Sequence, residues 1–420
     1  MKFKRSGIEL MAPAGDFESL MAAIQGGADA VYFGVGNLNM RSGSAKNFTP
    51  EDLPEIMRIC RKHIVKTYLT LNITLYDHEL DDIYQLVDIA AETNISAIIA
   101  TDWAVIQYAR EKGVNVHIST QANISNVQSL KYFAQFSDVM VLARELSLEQ
   151  MQYICEQVEK QNITGPSGKP IRIEIFIHGA LCMAISGKCY LSLHQSNKSA
   201  NRGQCRQECR KAYIITEKES GKELEVDNEY IMSPKDLNTI SFLDQLVKAG
   251  VKVLKIEGRG RSPEYVYTVT KTYDEALLAI ESGTFDKQSA KVWEAKLSTV
   301  FNRGFWGGYY MGKKEGEWSK RYGSHATKRK VYIGKGTNYF GKIGVAEFQV
   351  ESQSLKTGDE ILITGPTTGV IQTKVSEIRV DMKNVNETVR GDICSIPIAD
   401  KVRRADKLYK VVDSNRVATQ

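Results

Sequence analysis

From its start to about Gly260 the chain alternates short apolar, β-prone runs with segments whose apolar residues recur every three or four positions. That alternation restricts it to parallel βα units, because each strand needs a helical crossover to bring the chain back to the same end of the sheet. Strands are predicted over 9–14, 30–35, 66–75, 97–101, 114–121, 138–143, 172–178 and 251–257, with helical segments such as 16–26, 77–93, 146–158 and 234–250 between them. Gly26, Gly113 and Gly250 fall where helices would stop. Eight strands is the number that closes a (β/α)8 barrel of the TIM type. An open, doubly wound sheet is the rival architecture, since a strand count does not establish closure.

Side chains alternate across a strand, so parity assigns faces. In the seventh run Ile171, Ile173, Ile175 and Ile177 share the face turned to outer helices, which points Arg172, Glu174, Phe176 and His178 into the barrel. The same reading turns Tyr68, Asn72, His117, Ser119, Gln121, Arg144, Lys255, Glu257 and Arg259 inward or places them at strand ends. Barrel interiors are normally filled by branched aliphatics, and buried charges require partners. Arg172 and Glu174 are therefore expected in structural ion pairs low in the barrel. Gln121, Arg144, His178, Glu257 and Arg259 lie at carboxyl ends of strands, where barrel chemistry gathers, and are the candidates for an active site.

Between the seventh and eighth strands the chain makes an excursion over about 179–233, far longer than an ordinary βα loop. It carries Cys182, Cys189, Cys205 and Cys209, four of the seven cysteines. Thiolates favour soft or borderline metals, so the four point to an iron-sulfur cluster or a structural zinc. Zinc ribbons present tight cysteine pairs, and the first pair here is looser than that, which favours iron-sulfur. The competing readings are two disulfides or four inert thiols. Lys188, Arg202, Arg206, Arg210 and Lys211 surround the cysteines and supply positive potential for an anionic centre or an RNA backbone. Cys60, Cys155 and Cys394 stand apart and are expected in cores.

The length of 420 residues suits one large and one smaller domain, expected over 1–325 and 326–420. In the second, Val- and Ile-rich runs alternate with turns at Gly334, Gly341, Gly358 and Gly365, as in a small antiparallel β-barrel. Its "LKTGDEILITGP" and "RGDICSIPI" resemble the second domain of translation elongation factors. The segment FNRGFWGGYYMG, 301–312, is expected to cap the first barrel. A formal charge of +5 permits an RNA partner without requiring one. Glu9 and Pro13 interrupt the opening apolar stretch, and no run reaches the ~18 residues of a membrane span. A cytoplasmic protein with no membrane partner is the expectation, and reduced thiols there more often bind metal than pair.

The stretch "EIFIHGALCMAISGKCYLS", 174–192, together with "ELMAPAGDFESLMAAIQGGADAVYFG", "SANRGQCRQECR" and "KIEGRGRSPEYV", resembles the collagenase-like peptidase family, the U32 peptidases. The resemblance implies an oxygen-independent hydroxylase as well as a peptidase. Members modify a tRNA wobble uridine, a ribosomal cytidine or ubiquinone precursors, and are associated with an iron-sulfur cluster. Length and terminal β-domain make the chain most similar to the tRNA branch, which forms 5-hydroxyuridine and depends on prephenate. On that resemblance Cys182, Cys189, Cys205 and Cys209 would ligate a 4Fe-4S cluster delivered by the iron-sulfur assembly machinery. Arg144, Arg259 and Arg261 are the candidates to clamp the carboxylates of prephenate. His178 is the candidate proton carrier with Glu257 orienting it and Gln121 beside them, and Tyr32, Tyr190 and Tyr265 are candidates to stack a base. A peptidase remains the alternative, with Cys182 and His178 as a possible nucleophile and base; HExxH and GxSxG motifs are missing from the sequence.

Overall fold

The computed structural model describes residues 7–214, 216, 219–220, 230, 232–312, 316–320 and 322–414. The first six residues, and much of the later excursion, therefore lie outside the described residues.

Strands β1 (Glu9–Pro13), β2 (Ala30–Phe33), β3 (Lys66–Leu71), β4 (Ala97–Ala100), β5 (Val116–Ile118), β6 (Val139–Val141) and β7 (Arg172–Gly179) pair in sequence order and in parallel. Two more follow: β8 (Asp236–Asn238), antiparallel to the end of β7, and β9 (Val253–Ile256). Strand β9 pairs with β7 through Glu174↔Val253 and with β1 through Glu9↔Val253, which closes an eight-stranded parallel barrel. That closure excludes the open doubly wound sheet.

Every predicted barrel strand forms, but several stop sooner than their apolar runs. β3 ends at Leu71, next to Asn72, whose side chain accepts from the Met40 amide at 3.2 Å, and β5 gives way to a 3₁₀ turn over Thr120–Ala122. The helix predicted over 234–250 is shorter: Asp236–Asn238 is a strand and the helix runs over Leu243–Lys248. The aromatic segment supplies β10 (Phe305–Trp306), which extends β8, while the Tyr310 hydroxyl donates to the Phe176 carbonyl at 2.8 Å. This segment therefore braces the carboxyl end of β7.

A small interior cluster of Met11, Ala30, Tyr32, Tyr68, Ala97, Ile99, Val139 and Val253 fills the barrel, and the larger core lies between strands and outer helices. Charges complete the interior in pairs. Glu9 accepts from Lys66 at 2.6 Å, from both Arg172 terminal nitrogens at 3.1 Å and from the Tyr68 hydroxyl at 2.6 Å. Burial opposes its charge, but Arg172 and Lys66 outweigh burial and hold the carboxyl below its usual range. Arg172 thus pairs with Glu9 rather than with Glu174, which is fully buried and accepts from Lys255 at 2.8 Å.

The tail forms β11 (Lys328–Phe340), β12 (Val345–Val350), β13 (Glu360–Gly365), β14 (Gly369–Lys374), β15 (Ile378–Val380), β16 (Lys383–Val385), β17 (Ile393–Pro397) and β18 (Lys407–Asp413). They make one antiparallel sheet in the order β14-β13-β18-β11-β12-β17-β15-β16 around a core that includes Ile333, Phe348, Ile361 and Ile396. Leu362 and Val370 instead join the barrel's core. Gln25, at the end of the first helix, donates to the Thr368 carbonyl and accepts from the Val370 amide, both at 2.8 Å.

Candidate active site at the carboxyl mouth of the barrel

Two loops cover the carboxyl ends of the strands. The first, 34–49 after β2, is longer than an ordinary βα connection. The second is the cysteine-bearing excursion after β7. They hold each other: the Gly43 amide donates to the Gly203 carbonyl at 3.1 Å, and Gly203 sits at φ +76° against the Asn39 carbonyl, where a Cβ would meet that oxygen at 2.2 Å. Arg202 is turned away from the cysteines. It forms an ion pair with Glu79, donates to the Thr74 carbonyl at 2.8 Å and covers the Tyr76 ring at 4.1 Å. Buried Arg210 ties the two ends of the excursion together, donating to the Leu181 carbonyl at 2.7 Å, to Ser233 at 3.1 Å and to the Pro234 carbonyl.

Beneath these loops lies a cavity of about 240 Å³. Its floor is the polar strand ends, Tyr32, Lys255, Glu257, Arg259, Gln121 and Arg144, and its wall carries all four excursion cysteines, Cys182, Cys189, Cys205 and Cys209. All seven cysteines are free thiols; Cys60, Cys155 and Cys394 are buried away from this site. Cys182 is exposed and the other three are partly covered. Cys205 sulfur accepts from the Gln207 amide at 3.4 Å. Burial raises the Cys189 thiol, and it raises Cys209 to about 11 against the opposing charge of Arg210. Charge on the neighbouring thiols also pushes Cys209 up, and no group of three His, Cys, Asp or Glu side chains among the described residues is drawn close enough to hold one metal ion.

The most constrained charge in the floor is Glu257. Arg41, from the loop after β2, donates to one of its oxygens through Nε at 3.2 Å and Nη2 at 2.7 Å. Burial would raise this carboxyl, but Arg41, then Arg261, hold it down at about 2. Arg259 is nearly inaccessible and donates to Thr70 at 2.9 Å; burial lowers it to about 10, and it stays cationic at neutral pH. Arg144 lies 3.8 Å over the Phe176 ring and donates to the Ala180 carbonyl at 3.1 Å, while its Nε has no hydrogen-bond partner among the described residues. Gln121 accepts from Ser119 and donates to the Asn72 carbonyl at 3.3 Å. Tyr32 donates to the Ile256 carbonyl at 2.9 Å and its ring carries the Lys255 ammonium at 4.6 Å.

Three sequence-based expectations need correction. His178 does not line the cavity. The β7–β9 register shifts between Phe176 and His178, so the extra residue of a bulge reverses parity and turns the imidazole outward. It packs among Tyr273, Tyr265 and Phe305 at 5.6, 6.0 and 5.5 Å between ring centres, and burial, with Arg261 adding to it, lowers it to about 3. Glu257 does not orient His178, since its carboxylate is taken by Arg41 and only its backbone amide meets the His178 carbonyl, at 2.9 Å. Tyr265 is buried with its hydroxyl on the Glu257 carbonyl at 2.9 Å, beneath the cavity rather than facing it. Tyr190, the other outer candidate for stacking, is exposed and does not line the cavity, a placement that leaves its expected role untouched.

Arg41 is the site residue that sequence reasoning missed. The length of the loop after β2, placed at the mouth end of the strands, was the available signal.

A profile of peptidase family U32 matches residues 15–320. Among known proteins, a collagenase of Porphyromonas gingivalis is 56% identical over 402 residues, 96% of this chain and 97% of its own. A tRNA hydroxylation protein of Bacillus subtilis is 33% identical, covering 85% of this chain and 83% of its own. A 23S rRNA 5-hydroxycytidine synthase of Escherichia coli is 34% identical over 65% of this chain and 40% of its own. With most of the barrel, the cysteine-bearing excursion included, inside the matched region, the chain belongs to peptidase family U32.

Proposed function

We propose that this protein is an iron-sulfur-dependent, oxygen-independent RNA hydroxylase whose substrate is the tRNA wobble uridine, converted to 5-hydroxyuridine with prephenate as co-substrate. The observation that carries the reading is the cavity wall: four thiols from one inserted loop share a single cavity with the polar strand ends of the barrel. The donor set fits the cofactor. Four thiolates, the ligand type that iron-sulfur clusters take, line one wall of the cavity.

When bound, such a cluster supplies one-electron redox capacity beside the base. The chain's own groups bind and orient. Arg144, with an unpartnered Nε, and Arg259 and Arg261 present cations to the carboxylates of a co-substrate such as prephenate. Glu257, held ionised by Arg41, keeps a fixed negative charge in the floor. Gln121 offers an amide already ordered by Ser119 and Asn72. The wobble base is accessible without melting a helix, which suits a cavity roofed by loops. Nucleoside mass spectrometry of tRNA from a deletion strain tests the reading: loss of 5-hydroxyuridine is expected, and an unchanged level contradicts it.

The collagenase relative at 56% identity favours a second reading, a peptidase. Cys182 is the exposed thiol it would use, but His178 lies behind the strand and is no base for it. Collagenolysis that vanishes in Cys182→Ala and survives iron chelation supports this second reading.

A further inference from the structure

Past Cys205, Gln207, Arg210, Arg261 and Arg303 the thiol cavity continues into a second one of about 780 Å³, walled by the excursion and by residues around Phe301 and Tyr322. Six cations line it: Lys198, Arg206, Arg210, Lys211, Arg261 and Arg303. Its lining contains no Asp or Glu among the described residues. General basicity does not account for this, because residues 1–325 carry equal numbers of basic and acidic side chains and the whole formal charge of +5 belongs to 326–420.

Part of this charge is already committed. Lys211 pairs with Glu208, Arg303 with Asp236 at 3.4 Å, and Arg210 is spent on the excursion's ends. Lys198, Arg206 and Arg261 have no carboxylate within ion-pair distance among the described residues. Arg261 and Arg303 both lie on the Phe301 ring, at 3.6 and 5.1 Å, which fixes the two planar forks at the junction of the cavities. Like charges concentrated in a concave wall raise the local potential and favour a polyanion.

We infer that the second cavity is a phosphate channel, holding the sugar-phosphate backbone next to the target nucleotide while its base enters the thiol cavity. The inference rests on the RNA reading above and names its backbone subsite. Guanidinium forks match phosphate oxygens in pairs, and the shared wall at Cys205 and Arg261 sets one nucleotide across both cavities.

The test is fluorescence anisotropy of a labelled anticodon stem-loop RNA, titrated with the iron-loaded full chain at several salt concentrations. Arg206→Ala, Lys198→Ala and the double variant are compared with wild type, with iron content and melting temperature as controls for folding. Arg206 is exposed and Lys198 half-covered, so both truncations leave the core intact. Each single variant is expected to flatten the logarithmic salt slope by about 0.7 to 1, the double by about twice that, equally for RNAs with and without the target uridine. A salt slope and affinity unchanged in the double variant overturn the channel, as does displacement of the RNA by a polyglutamate peptide at equal charge concentration. Unchanged 5-hydroxyuridine in the deletion strain would remove the proposed reaction while leaving a flattened salt slope, and therefore the channel, standing.

Discussion

Arg41 determines the protonation state of Glu257 across a separation of 216 residues, through two hydrogen bonds to one carboxylate oxygen. Removing the guanidinium leaves a buried carboxylate without its main partner, so Arg41→Ala should destabilise the fold by about 2–4 kcal/mol at pH 7 in urea unfolding. Adding Glu257→Gln should recover part of that loss; an Arg41→Ala protein as stable as wild type contradicts the pairing. With the folded carboxyl near 2 and an unfolded value near ~4.3, this contribution is present above the unfolded value and lost as pH falls through about 2. His117 and His178 act in a different window. Both are buried and held neutral at about 3, so between ~6.5 and 3 the unfolded chain binds protons that the folded chain refuses. Stability should therefore fall as pH drops from 6.5 to 5, before the carboxylates titrate, and the slope should lessen in His178→Gln. Equal slopes in wild type and variant would show that His178 does not contribute.

Among elements, the barrel strands were legible because each is a short apolar run followed by a helix-period segment, from Glu9–Pro13 to Val253–Ile256. Parity was legible as far as Phe176: Glu174 turns inward to Lys255, as its position two residues earlier requires. It failed at His178 because a bulge is set by pairing with a distant strand, and β9 lies some 80 residues further on. Arg41 was illegible for a related reason, since its loop has no period and its partner is set only by closure of the barrel. Tyr265 was misplaced because its place one turn into the helix Pro263–Glu281 does not reveal which face of that helix is buried. The cysteine-bearing excursion behaves as an element in its own right, tied at both ends by Arg210. Arg210→Ala abandons the buried carbonyls of Leu181 and Pro234 and should cost about 2–4 kcal/mol. Limited proteolysis checks it: faster cleavage within 179–233 than in wild type is expected, and an unchanged digestion pattern contradicts the tie.

At the scale of the whole molecule, a closed barrel presents its chemistry at one end, two loops roof that end, and an antiparallel sheet carrying the net positive charge docks through Gln25, Leu362 and Val370. No helix among the described residues is long and apolar enough to cross a membrane. The proposed reaction requires an inorganic centre on the cavity wall formed by the four thiols. Anaerobic purification followed by iron, acid-labile sulfide and zinc analysis measures this directly, on wild type and on single Ala variants of Cys182, Cys189, Cys205 and Cys209. Iron and sulfide in near-equal amounts are expected in wild type, with loss of both in each variant. Zinc alone, or iron and sulfide retained undiminished in all four variants, would contradict that centre.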